Sequence, residues 1–220
     1  MGLFRKRSKL ELYSTDDITK LEAHIAETFG EFDMILHEIA SPDIHLDVVI
    51  VPPSEGRDFI TLVTLGMGAH RMNVPKELRE YRLERAELAV SLPPDWPLDS
   101  EDERDYWPIH WLKDLARLPI ANDTWLGFGH TVSGDGPLAE NTELSAVMLA
   151  GAYRSQPSEP LTLTNGDIVR FYQMIPLYEE ELKYKMDNDA EALMALFGGD
   201  DMSPVINIAR RNYGLPTEES

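Results

Sequence analysis

The chain has 220 residues, 43% of them hydrophobic, which is enough for one large buried core and excludes global disorder. It has no cysteine, so disulfides, thiolate metal sites and cysteine nucleophiles are excluded, and the expected location is a reducing cytoplasm. Thirty-nine acids against twenty bases give a net charge of −19, which argues against nucleic acid or anionic lipid as partners and in favour of something basic.

Residues 1–13 read as a flexible basic terminus carrying Arg5, Lys6, Arg7 and Lys9. No apolar stretch follows that cluster, so it is not a secretory signal, and Lys6 stands where a myristoylation pattern needs Ser or Thr. A single domain is expected over 14–199. Its first element is a helix capped by Ser14 or Thr15, with Asp16 and Asp17 in the first turn. Ile18, Leu21, Ile25 and Phe29 fall at helical spacing, and Gly30 is the stop. Strand patterns follow at 32–39, at 45–53, and over the β-branched and aromatic run 59–64, the last two forming a hairpin around Glu55 and Gly56. Residues 84–92 alternate with period two and read as another strand. An acidic, proline-punctuated loop comes next. It leads into a helix with Pro108 in its first turn and Ile109, Leu112, Leu115 and Ala116 on its buried face, ended by Pro119.

Residues 124–131 read as a glycine-broken strand, 133–137 as a turn, and 143–153 and 167–178 as two further strands. A C-terminal helix runs to Gly198 and Gly199, and residues 200–220 are expected to be a loosely held tail. The order shows no βαβ rhythm. The fold class is therefore α+β, with a mostly antiparallel or mixed sheet and helices packed against it. No apolar run approaches the roughly 20 residues of a membrane helix.

The chemical motifs are sparse. Gly127, Phe128 and Gly129 lack the third spaced glycine of a dinucleotide loop and are not followed by the Lys of a phosphate loop. No Gly-x-Ser-x-Gly elbow exists, and Ser133 sits in a turn. His45 and Asp47, two apart on a strand, face the same way. With His110 or His130 as a third ligand they would make the two-histidine, one-carboxylate face of a non-haem metal enzyme, the alternative reading. His24 and His37 read as structural or exposed.

The blocks HLDVVIVPP, DFITLVTLGMG, ERAELAVSLPPDWP, WPIHWLKDLARLP and DTWLGFGHTV, in this order over about residues 30–185, resemble the Suppressor of Fused domain family. The resemblance implies a non-enzymatic α+β domain without cofactors. Eukaryotic members add a second domain and bind a transcription-factor peptide as an added strand. This chain resembles their first domain alone. Single-domain bacterial relatives include proteins placed among immunity proteins that neutralise toxins. By the same resemblance, Asp123, Trp125, Phe128 and His130 are the candidate partner contacts. Where eukaryotic members have an acid directly before the histidine, this chain has Gly129. The function expected is a protein-binding module, an immunity protein for a basic toxin in its sharpest form. A homo-oligomer whose partner is itself is a third reading.

Overall fold

A computed structural model describes residues 10–151, 160–199 and 203–216. The basic cluster at 5–9, the strand residues expected at 152–153 and the tail residues 200–202 and 217–220 lie outside the described residues.

The first helix, α1 (Thr15–Phe29), starts as its sequence dictates. Ser14 Oγ accepts the Asp17 N–H at 3.1 Å, Asp16 and Asp17 occupy the first turn, and Gly30 at φ 120° closes it. Leu21, Ile25 and Phe29 point into the core, while Ile18 stays partly exposed. Among the described residues eight strands follow: β1 (Met34–Leu36), β2 (Asp47–Val51), β3 (Ile60–Leu65), β4 (Arg85–Leu92), β5 (Thr131–Ser133), β6 (Ala146–Gly151), β7 (Leu161–Thr162) and β8 (Ile168–Leu177). They form one sheet in the order β1-β2-β3-β4-β8-β6-β5, with β7 extending β6 along the same side of β8. Among the described residues every strand-to-strand pairing is antiparallel except β4 with β8, so the sheet is mixed.

Among the described residues three more α-helices complete the layers: α2 (Glu103–Asn122), α3 (Glu179–Asp187) and α4 (Ala190–Leu196). All residues of β2 and β3 are buried because both faces of the sheet are covered. Val49, Val51, Val63 and Leu65 meet α1, and Val48, Ile50 and Leu62 share a cluster with Trp107, Leu112, Leu115 and Ala116 of α2. Toward the other end of the sheet, α4 replaces α1 and packs Ala190 and Leu193 on Ala146, Met148 and Ala150. Among the described residues no helix is long and apolar enough to cross a membrane.

Outside residues 124–131, five local expectations change. The strand at 32–39 shrinks to three residues because His37 and the Glu38 N–H turn to bond Asp47 instead of a neighbouring strand. The acidic loop gives way to helix at Glu103, capped by Asp102, so Pro108 lies inside α2 rather than in its first turn. The carbonyl of Arg104, which Pro108 cannot satisfy, accepts from Asn141 Nδ2 at 3.1 Å. Pro119 does not end α2 either: the chain continues to Asn122, and Asp123, at φ 49°, closes it. The C-terminal helix is split at Asn188 and Asp189, where Asp189 caps α4 by accepting the Ala192 N–H at 2.7 Å.

The fifth change is the tail. Residues 203–216 form a strap, not a loose end. Val205 bridges Ser91 in parallel, and the Ile206 N–H reaches the Ser91 carbonyl at 2.8 Å, filling the gap that opens where β4 and β8 diverge beyond Ala89. Its anchor is Arg210, which grips Glu181 with both Nη groups and lies over the rings of Tyr178, Phe197 and Tyr213.

A buried carboxylate organises the turn after β3. Glu87 on β4 is wholly buried and accepts five hydrogen bonds: from Tyr13 Oη, Thr64 Oγ1 and the N–H groups of Gly66, Met67 and Gly68. Burial pushes its carboxyl above the usual range, and these donors pull against that shift. Gly66 is required there. It sits at φ 138°, and a Cβ would lie 1.9 Å from the His45 carbonyl oxygen.

Asp17 ties α1 to the turn between β7 and β8. Its carboxylate accepts the Thr164 N–H at 2.7 Å and the Thr164 hydroxyl at 3.1 Å. Burial opposes the charge, but the Thr164 and Ser14 bonds outweigh it and hold the carboxyl below 3.8. A carboxyl with a depressed folded pKa contributes stability that is present above its unfolded value and lost as pH falls. Asp17→Ala is therefore expected to cost about 1–3 kcal/mol at neutral pH. The difference from wild type narrows as pH falls through 3.8 towards the lower folded value, as urea unfolding at a series of pH values would show.

Candidate partner-binding edge

The loop leaving α2 is fixed at its base. The Asn73 N–H bonds the Thr124 carbonyl at 3.1 Å, and Leu126 is buried with its N–H on Met72 Sδ. Residues 124–130 are not strand. The chain turns at Gly127, where a Cβ would stand 2.6 Å from the Trp125 ring, so a side chain would push the indole off the backbone. Trp125 folds back onto His130 with ring centroids 4.2 Å apart. Burial lowers the His130 pKa, Lys185 nearby lowers it further, and a hydrogen bond to the Trp125 carbonyl works the other way, so the imidazole is neutral at pH 7. Phe128 stands in the same loop with 46% of its surface exposed. Three of the four sequence candidates thus lie in one turn. Asp123 lies at its entrance, as the cap of α2, with its carbonyl accepting from Asn73 Nδ2 at 3.3 Å.

This turn feeds directly into β5, the last strand of the sheet. The Leu149 N–H bonds the His130 carbonyl at 2.9 Å and the Gly134 N–H bonds the Ser145 carbonyl at 3.2 Å, with Val132 opposite Val147 between them. Strand alternation then turns the N–H and C=O of Thr131 and Ser133 away from β6. Among the described residues no further strand takes them up. At the far end of the hairpin, Gly136 and Pro137 border a recess of about 500 Å³ lined by Glu143, Glu179 and Glu180 and by Arg210, whose charge is taken up by Glu181.

His45 and Asp47 meet, but not with the partners expected from sequence. His45 Nε2 lies 3.1 Å from Asp47 Oδ1, and His37 Nδ1 lies 2.9 Å from Oδ2. His110 pairs with Glu103 at 2.9 Å instead. His130 bonds the outer side of β6 in line with β5, five strand spacings from β2, or roughly 24 Å at about 4.8 Å each. Among the described residues no three His, Asp or Glu side chains are grouped to hold a metal ion.

The pattern missed Ser41, whose Oγ lies 2.9 Å from His45 Nδ1 and 2.8 Å from Glu38 Oε2. The i, i+4, i+6 spacing of Ser41, His45 and Asp47 was visible in the sequence. The turn that joins them was not.

A model of the family described as "Suppressor of fused protein (SUFU)" matches residues 42–211. The chain is 24% identical over 204 residues to the uncharacterized protein UU111 of Ureaplasma parvum serovar 3, covering 91% of this chain and 97% of that one. The crystal structure of a SUFU homologue from Neisseria gonorrhoeae superposes with a TM-score of 0.64 at 16% identity, over 93% of this chain and all of that one. The structure of the Sufu-Fu complex gives 0.62 at 13% identity, over 91% of this chain and 93% of that one. Drosophila Suppressor of Fused gives 0.59 at 13% identity, with 90% of this chain covering 51% of that longer protein. The mixed sheet superposes on SUFU structures over 90–93% of the chain, and the family match, which spans most of it, shows that this chain belongs to the Suppressor of fused family.

Proposed function

We propose that the chain is a protein-binding module that takes up an extended segment of a basic partner along β5. The open backbone of Thr131 and Ser133 beside the Trp125, Phe128 and His130 turn carries this reading. An added strand would satisfy those polar groups, and the aromatic turn offers area at low entropic cost. The charge of −19 and the glutamate-lined recess at the end of the hairpin favour a cationic partner and speed its capture. Neutralising a basic toxin is the sharpest form of this role. The Sufu-Fu complex supports binding as the general mode in a structurally similar protein. Catalysis plays no part in the binding role.

The test is titration calorimetry with the product of a toxin-like reading frame adjoining the gene. Ser133→Pro removes an outward N–H without touching the β6 ladder, and is expected to weaken binding about tenfold, the equivalent of one good hydrogen bond. Phe128→Ala is expected to weaken it with no change in thermal midpoint, and raising salt from 0.05 to 0.5 M to weaken it further. Binding indifferent to both substitutions and to salt would move the interface elsewhere.

A further inference from the structure

The parallel strands β4 and β8 stay in register from Arg85 and Val169 to Ala89 and Gln173, and then part. The strap enters the opening from the β4 side, where Val205 and Ile206 meet Ser91. On the other side β8 offers it no ladder at Pro176, which has no N–H and whose carbonyl takes Arg210 Nη2 at 2.9 Å. A crevice of about 550 Å³ remains between the strap and the carboxyl ends of the parallel pair, bordered by Pro93 after β4 and by Ile175 and Pro176 of β8. Small molecules bind in such a place in open α/β sheets, and the volume is in the range of their sites.

The walls are preorganised. Trp96 is fixed by the bond from Nε1 to the Asp105 carbonyl at 2.9 Å, and it lies edge-on to Trp107 with centroids 6.4 Å apart. Phe197 and Tyr213 meet edge to face at 5.3 Å. Ile206 and Ile208 of the strap add aliphatic surface. Polar groups are few. Arg210 commits Nη1 to Glu181 and the Arg211 carbonyl, and Nη2 to Glu181 and the Pro176 carbonyl. Glu181 takes up its charge. An anionic ligand therefore finds no free cation here, and among the described residues no acid lines the crevice to meet a cationic one. Asn207 Oδ1 accepts the Ala209 N–H at 3.0 Å, and among the described residues its amide NH₂ donates to nothing. That amide is left for a ligand's acceptor.

We propose that this crevice binds a flat, uncharged aromatic molecule that carries a hydrogen-bond acceptor. Trp96, Phe197 and Tyr213 select the ring, the saturated Arg210 rejects charge, and Asn207 takes the acceptor. The ligand supplies contacts with β8 that the strap backbone lacks, so binding also steadies the strap.

The full chain is titrated with prodan, an uncharged naphthalene ketone whose emission shifts to the blue in apolar surroundings. One saturable site is expected. 2-Naphthol is expected to displace prodan about tenfold better than 2-naphthoate, whose charge has no partner in the crevice. Ile208→Trp fills the crevice from the strap and is expected to weaken prodan about tenfold. Asn207→Asp keeps the Ala209 cap but removes the donor, with a loss of similar size. In the wild-type chain bound prodan is expected to slow amide exchange across 203–209, a readout that needs no variant to fold. Absence of a saturable site, equal displacement by the two naphthalenes, or protection confined to 124–133 overturns the proposal. So does a folded Ile208→Trp that binds prodan as the wild type does. The crevice shares no residue with 123–133, so failure of either reading leaves the other standing.

Discussion

Glu87→Ala is expected to lose about 3–5 kcal/mol of folding stability, because it strips five donors of their acceptor at once and three of those are backbone N–H groups that cannot turn away. The loss is local in chemistry and wide in effect. Thr64 belongs to β3, Gly66 to Gly68 form the turn after it, and Tyr13 leads into α1, so a single carboxylate holds three segments. Glu87→Gln keeps the shape but sets an amide NH₂ against groups that also donate, and is expected to cost about 2–3 kcal/mol. Urea unfolding followed by tryptophan fluorescence measures both. A Glu87→Ala variant within 1 kcal/mol of wild type would show that water replaces the carboxylate and that the turn holds itself.

Arg210→Ala is the second large effect, again about 3–5 kcal/mol, because it leaves the Glu181 carboxylate, wholly buried, without its cation. The same change removes the stacking over Tyr178, Phe197 and Tyr213 and the bond from Arg210 Nη2 to the Pro176 carbonyl, so the strap loses its anchor along with the charge. Limited proteolysis is then expected to cut within 203–216 under conditions that leave the wild-type chain whole. Arg210→Lys does not rescue, since an ammonium cannot grip both carboxylate oxygens and lie flat on the rings. The paired change Glu181→Leu with Arg210→Met recovers most of the loss, because no lone charge remains. Equal stability of Arg210→Ala and the pair would show that the ion pair is not what fixes the strap.

What could be read from the sequence was whatever is decided over a few residues. Ser14, Asp16, Asp17 and Gly30 bracket α1 by capping chemistry alone, and the alternation through Arg85–Leu92 marks β4 because its two faces meet two different layers. Decisions made by distant partners stayed hidden. Pro108 looks like a helix start until Asn141, 33 positions later, supplies the donor that lets α2 run through it. Residues 203–216 look unanchored because Glu181 and the gap beside Ser91 lie far back in the chain. At the partner edge, the residue types of Trp125, Phe128 and His130 were apparent, but their conformation was not. Three glycine-linked aromatic positions read as strand, whereas the backbone at Gly129, φ 76°, folds them into a turn. His45 and Asp47 lie side by side, although β2 begins only at Asp47 and strand period is not what joins them. Their neighbours His37 and Ser41 arrive through a loop whose path depends on Glu38 and Arg117.

The parallel pairing of β4 with β8 has a kinetic consequence. Among the described residues β1 to β4 and β5 to β8 are each antiparallel ribbons, and within the sheet the β4–β8 seam joins them, matching Arg85 to Val169 across more than eighty positions. Closing so long a loop is slow, so each half condenses before the halves meet. On the ribosome the first ribbon emerges complete with one border of its hydrophobic sheet uncovered, and it stays adhesive until β8 is made.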